Sequence, residues 1–215
     1  MERAVIWDMD GVLVDTAEAH FRAWRRMFGG MGRDLTREEF IERFGMKSVE
    51  ILREALGDLL EGDLRQLALK KEGYYREEIA GKVTALPGVG LILDLLQKAG
   101  FRQAIASSAP VINIGLILES TGIGRFFEAV VSGDEVKAGK PDPEIFLEAS
   151  RRLAVAPARC VVVEDAIPGV TAAKAAGMRC VAVTNSHPAS ELRQADIIVS
   201  SLELVSPEIL EKLLG

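Results

Sequence analysis

Residues 4–11 read Ala-Val-Ile-Trp-Asp-Met-Asp-Gly, an apolar run that ends in two acids separated by a methionine. The run Ala4–Asp8 lacks an alternation of apolar and polar positions, which is typical of a strand that helices cover on both faces. Asp8 and Asp10 would then stand at the carboxyl end of that strand, where parallel α/β sheets bind their ligands. The stretch therefore predicts the first strand of a parallel sheet with an acidic site at its end.

Short apolar runs alternate with helical patterns through much of the remaining chain, which predicts an α/β fold with a doubly wound, parallel-sheet (Rossmann-like) core. Proline and glycine punctuate three of the helical patterns, which run from Pro87-Gly88 to Gly100, onward from Pro143, and from Pro168-Gly169 to Gly177. The further predicted strands are Gln103–Ser107, Ala129–Ser132, Cys160–Glu164, Cys180–Thr184 and Ile197–Ser200.

The stretch from about Asp15 to Ala85 breaks this rhythm, because every strong signal in it is helical. We predict two domains: a discontinuous α/β core of residues 1–14 and 86–215, and a small helical-bundle cap of residues 15–85 placed over one edge of the sheet. The alternative is that these helices pack as part of one domain. Four aromatic residues have spacings typical of a bundle core: Trp24, Phe28, Phe40 and Phe44. The predicted helices are Glu18–Phe28, Arg37–Phe44, Val49–Leu56 and Leu64–Ile79.

The composition limits the classes of partner. With 215 residues, 48% of them hydrophobic and 27% charged, the chain has the balance of an ordinary globular protein. A net charge of −6 argues against nucleic acid and anionic membranes as partners, although a local pocket of cations would still bind a phosphorylated metabolite. We find neither a signal-peptide pattern nor an apolar stretch near the roughly 20 residues that span a membrane. We therefore expect a cytoplasmic protein, and a monomer, because core and cap could bury their own apolar faces.

Cysteine and histidine are too sparse to suggest a zinc site. Cys160 and Cys180 each begin a β-branched run, and we interpret them as reduced thiols of the core rather than as a disulfide or half of a metal site. His20 and His187 are the only histidines and lie far apart in the sequence.

Polar residues follow four of the predicted strands, so that acids, hydroxyls and a lysine would meet at one sheet edge. Carboxylate oxygens suit a hard cation such as Mg²⁺, and a carboxylate can also act as a nucleophile towards phosphorus. A lysine and a metal would neutralise the charge of a transferring phosphoryl group. The residues are Asp8 and Asp10 after the first strand, Ser107 and Ser108 after the second, Lys140 after the third, and Glu164 and Asp165 after the fourth.

Each of these residues also has a structural interpretation. Ser107 could be an ordinary turn residue and Lys140 a solvated loop lysine before a helix. Glu164 and Asp165 could cap the helix that begins near Pro168. These alternatives require the acids and the lysine to face one crevice by coincidence, and burying like charges without a counter-ion would be unfavourable.

The motifs resemble those of the haloacid dehalogenase-like (HAD) phosphatase superfamily. Asp8–Thr16, Asp-Met-Asp-Gly-Val-Leu-Val-Asp-Thr, is similar to its first motif, and Ser107, Lys140 in Gly-Lys-Pro-Asp-Pro and Glu164-Asp165 in Val-Val-Val-Glu-Asp-Ala are similar to the other three, in the expected order. The resemblance, which extends to the helical cap, implies that Asp8 attacks phosphorus and that Asp10 is the acid and base. It also implies that Ser107, with Ser108, and Lys140 hold the phosphoryl group. Mg²⁺ would be held by Asp8, the Asp10 backbone carbonyl and Asp165, with Glu164 in or beside the shell.

Within the superfamily, the chain resembles the β-phosphoglucomutase-like and phosphatase subgroup. Residues 17–24 are similar to the start of the mutase cap, and His20 and Lys71 fall on positions that this subgroup uses near its substrate. The mutases also hold a second phosphate, with a cap arginine and a Ser-Lys-Asn segment. Here Ser48 replaces the arginine and Ala109-Pro110-Val111 replaces the segment, although Lys47 could partly stand in for the arginine.

A site that lacks the groups for binding a second phosphate should release its product and let water attack the aspartyl-phosphate. We therefore favour a Mg²⁺-dependent phosphatase of a small phosphorylated metabolite, with sugar phosphates as candidates. The alternative is a β-phosphoglucomutase-type sugar phosphomutase, and a third, less favoured reading is a non-enzymatic module that binds a divalent ion or a partner protein. The predicted substrate-facing residues of the cap are Thr16, His20, Lys47, Ser48 and Lys71.

Overall fold

A computed structural model describes residues 2–57 and 59–215; Met1 of the predicted core and Asp58 of the predicted cap lie outside the described residues. Over those ranges the chain forms a parallel sheet of six strands in the order β3-β2-β1-β4-β5-β6. This order is the doubly wound, Rossmann-like arrangement, and it confirms the predicted fold class. The strands are β1 Ala4–Trp7, β2 Arg102–Ser107, β3 Ala129–Ser132, β4 Cys160–Glu164, β5 Arg179–Val183 and β6 Ile197–Val199.

The strand β1 lies at the centre of the sheet because both of its faces are apolar. It pairs in parallel with β2 on one side and with β4 on the other. Val5 and Trp7 pack into the hydrophobic cluster on one face, while Ala4 and Ile6 pack into the cluster on the opposite face. Helices cover both clusters, so the missing polar alternation of residues 4–7 reflects burial on two sides.

In the described part of the chain, one α-helix separates each pair of successive strands from β2 to β5, whereas five lie between β1 and β2 and none lies between β5 and β6. All five helices from α1 to α5 begin within three residues of the predicted start, whereas α6 and α9 were not predicted. In the order of the chain they are α1 Ala17–Gly29, α2 Arg37–Arg43, α3 Ser48–Leu56, α4 Glu61–Ile79, α5 Val89–Lys98, α6 Val111–Thr121, α7 Glu144–Arg152, α8 Ile167–Ala175 and α9 Pro207–Leu214.

The helices α1–α4 have a hydrophobic cluster of their own. It contains Trp24, Phe28, Phe40 and Phe44, which confirms the predicted interior of the bundle. The α2 helix begins with a reciprocal cap, in which the Thr36 hydroxyl accepts from the Glu39 amide and the Glu39 carboxylate accepts from the Thr36 amide. The proposed limits of core and cap stay a prediction.

The two thiols belong to the core, as predicted. Cys160 and Cys180 are free, buried and packed into the same apolar cluster. Burial raises the pKa of Cys160 to about 11 and raises that of Cys180 further. Both thiols therefore stay protonated near neutral pH. Within residues 2–57 and 59–215, no helix has the length and apolar character that crossing a membrane would require.

Leu52 gives a test of the interior of α1–α4. Its side chain is 0% exposed, and we expect Leu52→Ala to lower the free energy of unfolding by about 2–5 kcal/mol, since truncation removes buried apolar area and leaves a cavity. Leu69, which is 67% exposed on α4, is the matched control, and Leu69→Ala should change stability by no more than about 0.5 kcal/mol. Urea unfolding of both variants measures the difference, and equal effects would contradict the described packing.

Candidate active site

The parallel strands bring the predicted polar residues to one edge of the sheet. Asp8 follows β1 directly, Ser107 is the last residue of β2, and Glu164 is the last residue of β4. Trp7 pairs with Val163, so Asp8 and Glu164 leave neighbouring strands at the same level. The position of each group thus follows from the register of the sheet.

Lys140 joins two of these strand ends. Its ammonium lies 2.5 Å from Asp8 Oδ1 and 2.6 Å from Glu164 Oε1, and the side chain is fully buried. Burial alone would lower the pKa of Lys140, but the two carboxylates raise it above its usual value, so the lysine stays charged. Because it lies behind Asp8, Lys140 does not line the cavity described below, and its predicted contact with phosphate stays a prediction.

The acids at this edge exceed the charge of Lys140. One oxygen from each of Asp8, Glu164 and Asp165 can be chosen so that all lie within 4.8 Å of one another. Burial raises the pKa of Asp8 and of Asp165, and Glu164 raises both further. A cation among these oxygens would lower the pKa of both carboxyl groups, because it would favour their ionised forms.

Asp165 supplies a specific observation in favour of a metal. Its Oδ1 is buried and has no hydrogen-bond partner within the described part of the chain, while its Oδ2 accepts from the Ser186 hydroxyl. Buried carboxylate oxygens are ordinarily satisfied, so Oδ1 is suited to a bound ion. The donors are all oxygen, as Mg²⁺ prefers. Asp10 contributes no carboxylate to this group, and its predicted role through the backbone carbonyl stays a prediction.

Glu164 is held on both of its oxygens. Oε1 accepts from Lys140, and Oε2 accepts from the backbone amides of Asp165 and Ala166 at 2.9 and 3.0 Å. A Cβ built on Gly169 would lie 1.7 Å from Glu164 Oε1, so α8 approaches closely only because this residue is glycine. Glu164 therefore binds two amides that precede α8 and orients Lys140, but α8 has no side-chain cap, so the capping alternative is not met.

The Asp10 carboxylate lies under the helices α1 and α4. Its Oδ1 accepts from Thr16 and, at 3.2 Å, from the Tyr75 hydroxyl, and it lies 3.4 Å from His20 Nε2. Burial alone would raise the pKa of Asp10, but His20, Thr16 and Tyr75 hold it below its usual value. Asp10 is therefore ionised at rest and fixed in direction by groups from the helical segment.

His20 and Lys71 form a second layer behind Asp10. Lys71 Nζ lies 2.8 Å from His20 Nδ1 and 3.0 Å from Glu72 Oε1. Burial and the charge of Lys71 lower the pKa of His20, so the imidazole is neutral. Because Nδ1 faces an ammonium and must accept, we assign the ring proton to Nε2, which points at Asp10.

A small cavity separates the sheet edge from α1–α4. It measures about 40 Å³, which is room for a few waters and too small for a sugar phosphate. A substrate of that size would therefore not fit in the cavity as the structure shows it. From the sheet the cavity is lined by Asp8, Asp10, Ser107, Ser108 and Ala109, and from the helical segment by His20, Trp24, Phe40, Phe44, Gly45, Met46, Ser48, Ile51, Lys71 and Glu72.

The two serines after β2 differ in what they contact. Ser107 Oγ accepts from the Ala109 amide at 3.2 Å, which leaves its proton free to be donated to a ligand. Ser108 Oγ donates to the Gly45 carbonyl at 2.6 Å and thereby ties the sheet edge to the helical segment. Both line the cavity, and their binding of phosphate stays a prediction.

Lys47 and Ser48, two residues that we predicted to face the substrate, form hydrogen bonds within the protein. Lys47 points away from the cavity and donates to the Val136 carbonyl at 2.9 Å. Ser48 lines the cavity and donates to Glu72 at 2.6 Å. Lys47 therefore fastens the helical segment to the core in this arrangement and does not supply a cation to the cavity.

Several residues that contact the site were missed from the sequence. Tyr75 lies one helical turn after Lys71 on α4, so the i, i+4 spacing could have placed both on one face. Asn185 and Ser186 follow β5, which reaches the same sheet edge, so polar residues after a fifth strand were the signal that could have indicated them. Asn185 Nδ2 donates to the Gly11 carbonyl at 2.7 Å, and Ser186 donates to Asp165.

Comparisons with known proteins agree with this arrangement. A β-phosphoglucomutase of Bacillus subtilis is 34% identical over 98% of this chain and 94% of its own length. A phosphorylated carbohydrates phosphatase of Thermotoga maritima is 37% identical over 81% of this chain and 82% of its own. The crystal structure of a β-phosphoglucomutase from Clostridium difficile superimposes with a TM-score of 0.87 at 29% identity, covering 100% of this chain and 97% of that one.

The family model for haloacid dehalogenase-like hydrolases matches residues 2–177, a span that contains the acids, serines and lysine gathered at the sheet edge. This match confirms the resemblance that the motifs suggested. The chain therefore belongs to the haloacid dehalogenase-like hydrolases.

Proposed function

We propose that this enzyme is a Mg²⁺-dependent phosphatase, which hydrolyses a small phosphorylated metabolite through an aspartyl-phosphate on Asp8. The observation that carries the proposal is the position of Asp8. Asp8 lines the small cavity, and its carboxylate is bound to the buried Lys140. One of its oxygens can be chosen to lie within 4.8 Å of an oxygen of Glu164 and of Asp165. Such a carboxylate is suited to nucleophilic attack on phosphorus.

The first step transfers the phosphoryl group to Asp8. With Oδ1 engaged by Lys140, the other oxygen attacks phosphorus, and the bond between phosphorus and the ester oxygen of the substrate breaks. Ser107, whose hydroxyl proton is not donated elsewhere among the described residues, would donate it to a phosphoryl oxygen, and Ser108 would do the same once its hydrogen bond to Gly45 is released. A bound Mg²⁺, held by Asp8, Asp165, the Asp10 carbonyl and Glu164 in or beside the shell, would neutralise the phosphoryl charge.

Asp10 would act in both halves of the reaction. Substrate brings a dianionic phosphate beside it, and that charge raises the pKa of a nearby carboxyl, so Asp10 would enter the complex protonated and give its proton to the leaving oxygen. In the second half the ionised Asp10 would take a proton from the water that attacks the aspartyl-phosphate. Thr16, His20 and Tyr75 would keep the carboxylate aimed at that position.

The charges in the cavity support water as the phosphate acceptor. Among the residues that the structure describes, Lys71 is the one lysine or arginine that lines the cavity, and its charge is paired with Glu72. Lys47 is bound to Val136 instead. A second phosphate, which a mutase must hold, would therefore find a carboxylate and no free cation, whereas a neutral, hydroxylated leaving group would fit. Sugar phosphates match this chemistry.

The second candidate is a sugar phosphomutase. The similarity to the mutase of Bacillus subtilis covers nearly the whole chain, and the pair of His20 and Lys71 beside Asp10 is compatible with either activity. A non-enzymatic ion-binding module is disfavoured, because the groups around Asp10 would have no use in it. The domain limits, the monomeric state and the cytoplasmic location stay predictions.

A substrate panel separates the two enzymatic candidates. With Mg²⁺ present, the purified protein should release inorganic phosphate from sugar monophosphates faster than from nucleoside di- and triphosphates, because the described residues lining the cavity offer no unpaired cation for a further phosphate. Phosphate release is measured colorimetrically, with EDTA-treated protein as the control. If β-glucose 1-phosphate gives glucose 6-phosphate faster than free phosphate, the mutase candidate replaces the phosphatase.

Two isosteric variants test the roles of the acids. Asp8→Asn should lower kcat on the order of 10³-fold or more, because the nucleophile is lost. Asp10→Asn should lower it by about 10²–10⁴-fold, because proton transfer is lost. Asp94→Asn on α5 is the control, since Asp94 pairs with Lys98 away from the cavity. Circular dichroism checks the folds, and substantial turnover by Asp8→Asn would refute its assignment as nucleophile.

A further inference from the structure

We propose that Ser186 makes the metal site selective for Mg²⁺ over Ca²⁺, by restricting Asp165 to coordination through a single oxygen. The inference rests on the metal assignment in the proposed function. Ser186 lies in the segment after β5, outside the four motifs, and its hydroxyl donates to Asp165 Oδ2. The hydroxyl therefore occupies one of the two oxygens of the carboxylate.

Gly11 closes the same side of the carboxylate. A Cβ built on Gly11 would lie 1.9 Å from Asp165 Oδ2 but 3.1 Å from Oδ1, so Oδ2 is the oxygen pressed against the loop after β1. Gly11 adopts a φ of +88°, a conformation that favours glycine, and Asn185 donates to its carbonyl at 2.7 Å. Asn185 thus holds Gly11 through its carbonyl, and Ser186 holds the Asp165 oxygen that lies against Gly11.

The free oxygen is therefore Oδ1. It is buried and has no hydrogen-bond partner in the ranges 2–57 and 59–215. The other two acids of the cluster are also engaged. Lys140 holds Asp8 Oδ1 and Glu164 Oε1, and the amides of Asp165 and Ala166 donate to Glu164 Oε2. An ion placed among Asp8, Glu164 and Asp165 would meet single oxygens directed by other groups, and at Asp165 that direction comes from the Ser186 hydroxyl.

This arrangement favours the smaller ion. Mg²⁺ requires near-octahedral geometry and takes one oxygen from each carboxylate, whereas Ca²⁺ accepts six to eight oxygens and readily binds both oxygens of one carboxylate. Removing the hydroxyl would release Oδ2 without changing the charge of the site. Asp165 would then be able to turn and present both oxygens, a change that benefits Ca²⁺ and loosens the single-oxygen geometry that Mg²⁺ needs.

Ser186→Ala tests the proposal, with Ser186→Thr as the variant that keeps the hydroxyl and Ser190→Ala, at an exposed serine of the same segment, as the matched control. Dissociation constants for Mg²⁺ and Ca²⁺ are obtained from the shift of the thermal unfolding midpoint with each metal alone. Loss of a group that orients a ligand lowers metal affinity by about 10–100-fold, so Mg²⁺ affinity should fall about 10-fold in Ser186→Ala while that for Ca²⁺ is kept or rises.

The ratio of the two dissociation constants decides the outcome. We expect it to shift towards Ca²⁺ in Ser186→Ala and to stay near the wild-type value in Ser186→Thr and Ser190→Ala. A ratio that is unchanged in Ser186→Ala overturns the role of Ser186, while phosphate release by the wild type would still support the proposed function. A wild-type protein that Mg²⁺ does not stabilise would overturn the metal assignment and this inference together. Ca²⁺ inhibition of phosphate release gives a second readout, which should need less Ca²⁺ in Ser186→Ala.

Discussion

The buried ion pairs of Lys140 with Asp8 and Glu164 are the interaction on which the rest of the site depends. A lysine without water is stable as a cation only beside carboxylates, so the loop after β3 must meet the ends of β1 and β4. One ammonium does not balance the acids around it, and the unpartnered Oδ1 of Asp165 lies where a metal would complete the neutralisation. The carboxylates that hold the Lys140 loop in place therefore also form a cluster whose excess negative charge a cation would neutralise.

The helices α1 and α4 and the residue before α1 orient the Asp10 carboxylate, and they add little net charge to the site. Thr16 at the start of α1, His20 on α1 and Tyr75 on α4 converge on Asp10. Lys71 and Glu72 lie behind them as an ion pair with no net charge. The helical segment also contacts the core through hydrogen bonds, such as those of Lys47 with Val136 and of Ser108 with Gly45. These hydrogen bonds hold the segment against the sheet edge, beside the small cavity that Asp8 and Asp10 line.

In the proposed function, specificity is set by groups that contact the motif residues and not by the motif residues alone. Among the described residues, the pairing of Lys71 with Glu72 leaves no unpaired cation at the cavity, which would restrict the leaving group. The hydrogen bond from Ser186 engages Asp165 Oδ2, and Oδ1, which has no hydrogen-bond partner in the described part of the chain, would be the oxygen offered to the proposed metal. In the first case Glu72 engages the ammonium of Lys71, and in the second Ser186 engages Asp165 Oδ2. Neither contact changes the net charge of the motif residues.

The sequence by itself determined the parallel sheet, the helical interruption after the first strand and the edge at which the acids gather, because strand burial and chain order are local patterns. It did not reveal α6, whose apolar residues are nearly continuous and show little helical contrast, or the short α9. Only the tertiary structure decided that Lys47 turns to Val136, that Glu164 is held on both oxygens, and that Tyr75 and Ser186 reach the acids. The direction of a polar side chain depends on partners from distant segments, and those meet only when the chain is folded.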